Sequence, residues 1–332
     1  MIQTTSTSVQ TALIKAFGVA ELDSIQPLSG GFSGAGVYKI RVGGIPYILR
    51  QEAEVDDFND PRRWYPAMRI AADAALAPRI HYACAEDGVA IVDFIPQQSL
   101  NLDYRGDRSD LVVELAQTVR LLHETPAFPP LVDYLDGMEG LIARFEASGV
   151  VAPEAIAPYL AAYRDLAAVY RRLPAEPVSS HNDINPRNLI YDGRRLWLVD
   201  WQASFLADRY VDLATVANFF LRTPEEEALM LRTYFGGDPG AARTARLFLA
   251  RQVNHVFHGL IFLLGVAAER PGLRLTRIEA PPFAELHRGL GEGTFDLDVP
   301  EGRQVYAQAR FKAALENIRG PAMAKALAAL DL

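Results

Sequence analysis

The chain has 332 residues, half of them hydrophobic and 22% charged, with a formal net charge of -8. That length suits one large domain or two lobes, and the composition is that of a globular protein, not a disordered one. The acidic balance argues against bulk affinity for nucleic acid or an anionic membrane, and the single cysteine, Cys84, excludes an internal disulfide framework and any multi-thiolate metal site.

The first hundred residues alternate short β-prone runs with two helices. A helix is predicted around Ser8–Phe17, followed by strands at Ile25–Leu28, Val37–Val42 and Ile45–Arg50. Gly43-Gly44 between the last two is a two-residue hairpin signal. A helix follows over Pro61–Ala75, stopping near Pro78, then strands at Arg79–Cys84 and Val89–Phe94 around the turn Glu86-Asp87-Gly88. Beyond Pro96 the pattern becomes helical. Leu111, Leu115, Val119 and Leu122 recur every three or four residues, as one apolar helix face does. Further helices are predicted over Asp133–Ala147, Pro153–Arg172, Val211–Leu221, Pro224–Tyr234, Gly240–Ala268, and Gln304–Leu330 with a break near Gly320-Pro321. A β insertion at Val178–Trp201 interrupts them. The plan is α+β and two-lobed: a small β-rich lobe over residues 1–95 and a larger helical lobe over 96–332. Met1–Gln10 is polar with no apolar run, and the apolar stretch Gly259–Ala268 is too short to cross a bilayer. The expectation is a cytoplasmic protein without membrane insertion.

The chemistry concentrates in His181-Asn182-Asp183-Ile184-Asn185-Pro186-Arg187-Asn188 and in Leu196-Trp197-Leu198-Val199-Asp200. An Asp and an Asn five apart on a loop, then an Asp closing an apolar strand, make the parts list of a kinase catalytic loop. Phosphoryl transfer needs a carboxylate to orient and deprotonate the attacking hydroxyl, and oxygen ligands for Mg²⁺. Asp183 suits the first task, and Asn188 with Asp200 the second. Upstream, Leu28-Ser29-Gly30-Gly31-Phe32-Ser33-Gly34-Ala35-Gly36 leads into a strand, where glycines let backbone amides close over an anion. It is not a Walker A loop, since no Gly-Lys pair occurs in the chain, and no GxGxxG supports a dinucleotide fold. His255 and His258 lie one helical turn apart without a third ligand and read as core histidines.

The stretch from Ser180 to Phe220, with His181-Asn182-Asp183, Asn188, the run Arg195–Trp201 and Asp208…Asp212-Leu213-Ala214, resembles the aminoglycoside phosphotransferase and choline kinase superfamily, and within it most the choline/ethanolamine kinase branch. The resemblance implies a protein-kinase-like fold and ATP-dependent phosphorylation of a small-molecule hydroxyl, with ATP and Mg²⁺ as cofactors. It implies that Ser33 and Gly34 sit nearest the phosphates, that Arg50 takes the place of the phosphate-binding lysine of protein kinases, and that Asp93 and Ile95 belong to the hinge that holds adenine. Asp212 would brace the catalytic loop. The chain departs from the pattern at two positions. The helix position that should supply a glutamate partner for Arg50 falls on Trp64, leaving Glu52 or Glu54 as substitutes. Two residues after Asp200, where an acidic residue is common, stands Gln202, from which altered metal affinity is expected. A cationic amino alcohol would need aromatic and acidic groups, for which Trp201, Asp208 and Tyr210 lie in the right part of the chain. The expected acceptor is a choline- or ethanolamine-like alcohol, with aminoglycosides, sugars or amino acids as alternatives. A catalytically silent nucleotide-binding scaffold is the alternative of a different class.

Overall fold

The computed structural model describes residues 6–28, 35–52, 59–98, 100 and 104–332. By internal contacts the chain divides into two compact units, one of residues 1–107, 117–130 and 178–206, the other of 108–116, 131–177 and 207–332. The 95/96 boundary follows composition along the chain, whereas each compact unit is assembled from several segments, and 178–206 groups with the N-terminal residues.

The first unit begins with helix α1 (Thr7–Phe17), whose Ser6 cap accepts from the Val9 amide and whose C-terminus turns at Gly18 with φ 74°. Strands β1 (Ser24–Pro27), β2 (Gly36–Val42) and β3 (Ile45–Gln51) follow, then helix α2 (Pro61–Asp73) and strands β4 (Ile80–Cys84) and β5 (Val89–Asp93). They form one antiparallel sheet in the order β1-β2-β3-β5-β4. The β2–β3 hairpin closes on Gly43 and Gly44, both at positive φ, as their sequence predicts. Val9, Ala12 and Leu13 of α1 pack with Ile40, Tyr47, Leu49, Val89 and Ile91 of the sheet, so the alternation of apolar residues along β3 and β5 is spent on this core.

Helix α3 (Arg108–His123) contributes to both units. Helices α4 (Tyr134–Ser148) and α5 (Pro153–Tyr170) precede the β insertion, which resolves into four short strands: β6 (Pro177–Ser180), β7 (Leu189–Tyr191), β8 (Leu196–Leu198) and β9 (Phe205–Asp208). Strands β7 and β8 pair as a hairpin, β6 pairs with β9, and a single 3-10 turn covers Trp201–Ala203.

The second unit continues with α6 (Tyr210–Phe220), α7 (Pro224–Phe235), α8 (Gly240–Glu269), α9 (Phe283–Glu292), α10 (Pro300–Arg319) and α11 (Pro321–Ala329). Pro321 ends α10 and opens α11, as expected. Helix α8 is its axis. Leu249, Val253, Val256, Leu260 and Leu263 meet Phe145, Leu160, Tyr163, Phe311 and Ala314. By length and composition α8 is long and apolar enough to cross a membrane, the only such helix among the described residues, and 67% of its apolar window is buried in this core.

Candidate active site

The loop after β6 is folded by its own side chains. Asn182 sits at φ 64°, a left-handed conformation that asparagine tolerates better than most residues. Its amide nitrogen donates to the carbonyl of Ala203 at 2.9 Å, tying the loop to the turn beyond Asp200. Asn185 and Asn188 close successive tight turns through backbone bonds to Asp183 and Asn185. The Val199 amide returns to the Asn188 carbonyl at 3.0 Å, and His181 Nε2 donates to the Val199 carbonyl at 2.9 Å.

These bonds place Asp183 between two amides. Asn185 Nδ2 donates to Oδ1 at 2.9 Å, and Asn188 Nδ2 donates to Oδ2 at 2.8 Å. The two donors orient the carboxylate, one at each oxygen. Because the Asn188 nitrogen is spent on Asp183, the oxygen end of that amide is the one with ligand chemistry for a hard cation.

Asp200 follows β8 and is also left-handed, at φ 64°. Its side chain is 37% exposed, and its Oδ1 accepts from Arg50 Nη1 at 3.3 Å. Arg50, on β3, donates through Nε to Glu52 Oε1 at 2.6 Å and stands 5.1 Å from the centre of the Trp64 ring. Trp64 is therefore a flat platform for the guanidinium where the family pattern puts an acidic partner, and the carboxylate comes from the strand itself, two residues on. Gln202 Nε2 donates to the other Glu52 oxygen at 3.4 Å. Arg63 of α2 donates to the carbonyls of Ser204, at 3.2 Å, and Gln202. Arg50, Asp183, Asn188 and Asp200 thus belong to one compact unit, although 150 residues of sequence separate Arg50 from Asp200.

Of the remaining expected residues that are described, Asp93, Ile95 and Trp201 lie in the first unit with Asp183, and Asp208 and Tyr210 in the second. Asp93 ends β5, opposite Tyr47, and accepts from His81 Nε2 at 2.7 Å. Its amide bonds the Arg79 carbonyl, and Ile95 lies half-buried in the irregular segment beyond. Ser33 and Gly34 lie outside the described residues, as does Glu54. Trp201 is buried in the first unit against His181 and Phe128. Asp208 and Tyr210 lie in the second. The Asp208 carboxylate pairs with Arg246, and burial pushes its pKa up despite that partner. Tyr210 is fully buried beneath the same guanidinium, and burial pushes its phenol up to about 12. Asp212 is fully buried in the first turn of α6. Trp201 serves packing, and Asp208 and Tyr210 serve packing and pairing with Arg246. Sequence reasoning missed Asn185 as a donor and Trp64 as a platform. An asparagine two residues past Asp183 was a visible signal for the first, while nothing in the sequence marks the second.

Asn188 and Asp200 fit Mg²⁺ by the chemistry of their donors, one amide oxygen and one carboxylate. Among the described residues no group of three or more His, Cys, Asp or Glu side chains could hold a metal ion. The cation would then take most of its ligands from phosphate oxygens and water, as Mg²⁺ at nucleotide sites does.

An α+β fold with an Asp-Asn loop, a strand-end Asp and a strand cation in one unit is the class of a kinase-like phosphotransferase. The phosphotransferase enzyme family matches residues 24–247, more than half of the chain, and the protein belongs to that family. No curated protein matches its sequence. Solved structures share the fold. A choline/ethanolamine kinase family protein from Mesorhizobium loti superposes with a TM-score of 0.67 at 18% identity, covering 97% of each chain. The choline kinase LicA from Streptococcus pneumoniae gives 0.60 at 16% identity, over 93% of this chain and 97% of its own. The streptomycin–ATP–APH(2")-IIa ternary complex gives 0.58 at 16% identity, over 80% and 91%. The expected kinase-like α+β fold is the one these proteins have.

Proposed function

We propose that the protein transfers the γ-phosphoryl group of ATP to a hydroxyl of a small molecule. The observation that carries this reading is the Asp183 carboxylate, held at both oxygens by Asn185 and Asn188. A carboxylate fixed in this way accepts the acceptor's hydroxyl proton as that oxygen bonds to the γ-phosphorus and the bond to the bridging oxygen of ADP breaks. Arg50 grips the phosphates, its orientation fixed by Glu52 and Trp64. When bound, Mg²⁺ supplies charge neutralisation on the phosphate oxygens, with Asn188 and Asp200 as its protein ligands. Asp93 and Ile95 frame the adenine.

The favoured acceptor is a choline- or ethanolamine-like amino alcohol. Support comes from the run Arg195–Trp201 and from the full-length likeness to a choline/ethanolamine kinase family protein. A net charge of -8 also favours a cationic acceptor over an anionic one at long range. An aminoglycoside is the second reading, supported by the likeness to the streptomycin complex. The test is ADP release with Mg²⁺ and ATP over amino alcohols, aminoglycosides and sugars. Release with one amino alcohol supports the reading. Release only with aminoglycosides selects the second reading, and nucleotide binding without release on any acceptor selects a silent scaffold.

A further inference from the structure

Glu52 has only 2% of its side-chain surface exposed, so an ionised carboxylate there depends on donors for both oxygens. Oε1 accepts from Arg50 at 2.6 Å and Oε2 from Gln202 at 3.4 Å. Gln202 is itself buried, on the turn that follows Asp200. That turn is pinned from α2 by Arg63, which holds the carbonyls of Gln202 and Ser204. The backbone of that turn is therefore held where the Gln202 side chain meets Glu52.

This arrangement explains two departures from the family pattern as one. With Trp64 on the helix, the carboxylate that orients Arg50 comes from position 52, and it arrives against position 202. An acidic residue at 202 would put a second negative charge at hydrogen-bond distance from the first in a buried setting, where like charges repel strongly. An amide there removes the repulsion and gives Glu52 a donor. We infer that Glu52 and Gln202 are a coupled pair of positioning residues: Glu52 aims Arg50 at the nucleotide phosphates, and neutrality at position 202 is the condition for it. The inference rests on the reading of Arg50 as a phosphate-binding group.

The test is a charge swap with four proteins: wild type, Glu52→Gln, Gln202→Glu and the double variant. Two readouts are taken, the Kd for Mg²⁺-ATP by calorimetry and the melting temperature without nucleotide. Each single variant is expected to weaken Mg²⁺-ATP binding by about tenfold or more, and the double variant to return to within about threefold of wild type, the non-additivity of residues in contact. Gln202→Glu is expected to lower the melting temperature, and the swap to recover it. Gln202→Glu binding like wild type, or a double variant as weak as the two single losses combined, would overturn the inference. Failure of wild type to bind Mg²⁺-ATP would instead defeat the proposed function, and the melting temperatures would still decide the coupling.

Discussion

Arg50 Nη1 reaches Asp200 Oδ1 at 3.3 Å while its Nε holds Glu52 at 2.6 Å, so one guanidinium joins two carboxylates from distant parts of the chain. The charge of Arg50 offsets the repulsion between them, and its direction is fixed by the Trp64 ring below. The strand cation and the strand-end carboxylate are thus organised together before any nucleotide contact is considered.

Asp183 is the group with the most specific role. Asp183→Asn keeps the shape and removes the base. We expect kcat to fall by roughly 10²- to 10⁴-fold, the range for loss of a general base, with Mg²⁺-ATP affinity within a few-fold of wild type. Unchanged turnover in a preparation free of host kinase would remove Asp183 from the mechanism.

Asp200→Ala should act on binding. Without its carboxylate, Mg²⁺ is expected to lose its effect on ATP affinity, and a titration of ATP with and without Mg²⁺ checks this. A retained Mg²⁺-dependent gain would deny Asp200 its metal role.

The catalytic loop and the glycine-flanked hairpin were legible in the sequence because local spacing encodes them. The Asp183–Asn188 interval is fixed by turns within eight residues, and Gly43-Gly44 by positive φ. The Arg50 environment was half legible. Glu52 is two residues away and stood among the candidates, but Trp64 faces the guanidinium only through tertiary packing, which carries no periodic signature. The strands β6, β7 and β9 are three or four residues long, too short for an alternation pattern to show. Helix α9 was not predicted; Pro282 stands at its N-cap position without a side-chain capping bond, so no polar cap marks its start.

The second unit contains histidines that resist protonation. Burial, and then the charge of Arg310, hold His287 down to about 4 and His255 well below its ordinary 6.5. The unfolded chain takes up these protons near pH 6.5 and the folded one does not. The stability they contribute is therefore complete above that pH and is lost as pH falls from 6.5 toward 4. Melting temperature should decline through this window, and His255→Phe should flatten the decline. A profile unchanged by the substitution would exclude His255 as a source.

Asp208 and Arg246 form a buried pair, with Tyr170 and Glu176 adding further bonds. Arg246→Met strands a carboxylate that burial already disfavours, and should cost about 3 kcal/mol by denaturant unfolding, in keeping with other broken buried pairs. Adding Asp208→Asn should return part of that loss, and no recovery would mean that the packing of Arg246, not its charge, was the contribution.

The most direct measurement of the central claim is phosphoryl transfer itself: ADP formation with Mg²⁺-ATP and a set of amino alcohols, run side by side with wild type and Asp183→Asn. The account predicts acceptor-dependent ADP and a phosphorylated alcohol from wild type, and near-complete loss of both in the variant with nucleotide binding retained. Mg²⁺-ATP binding without phosphorylated product from any hydroxyl acceptor, or equal product from both proteins, would contradict it.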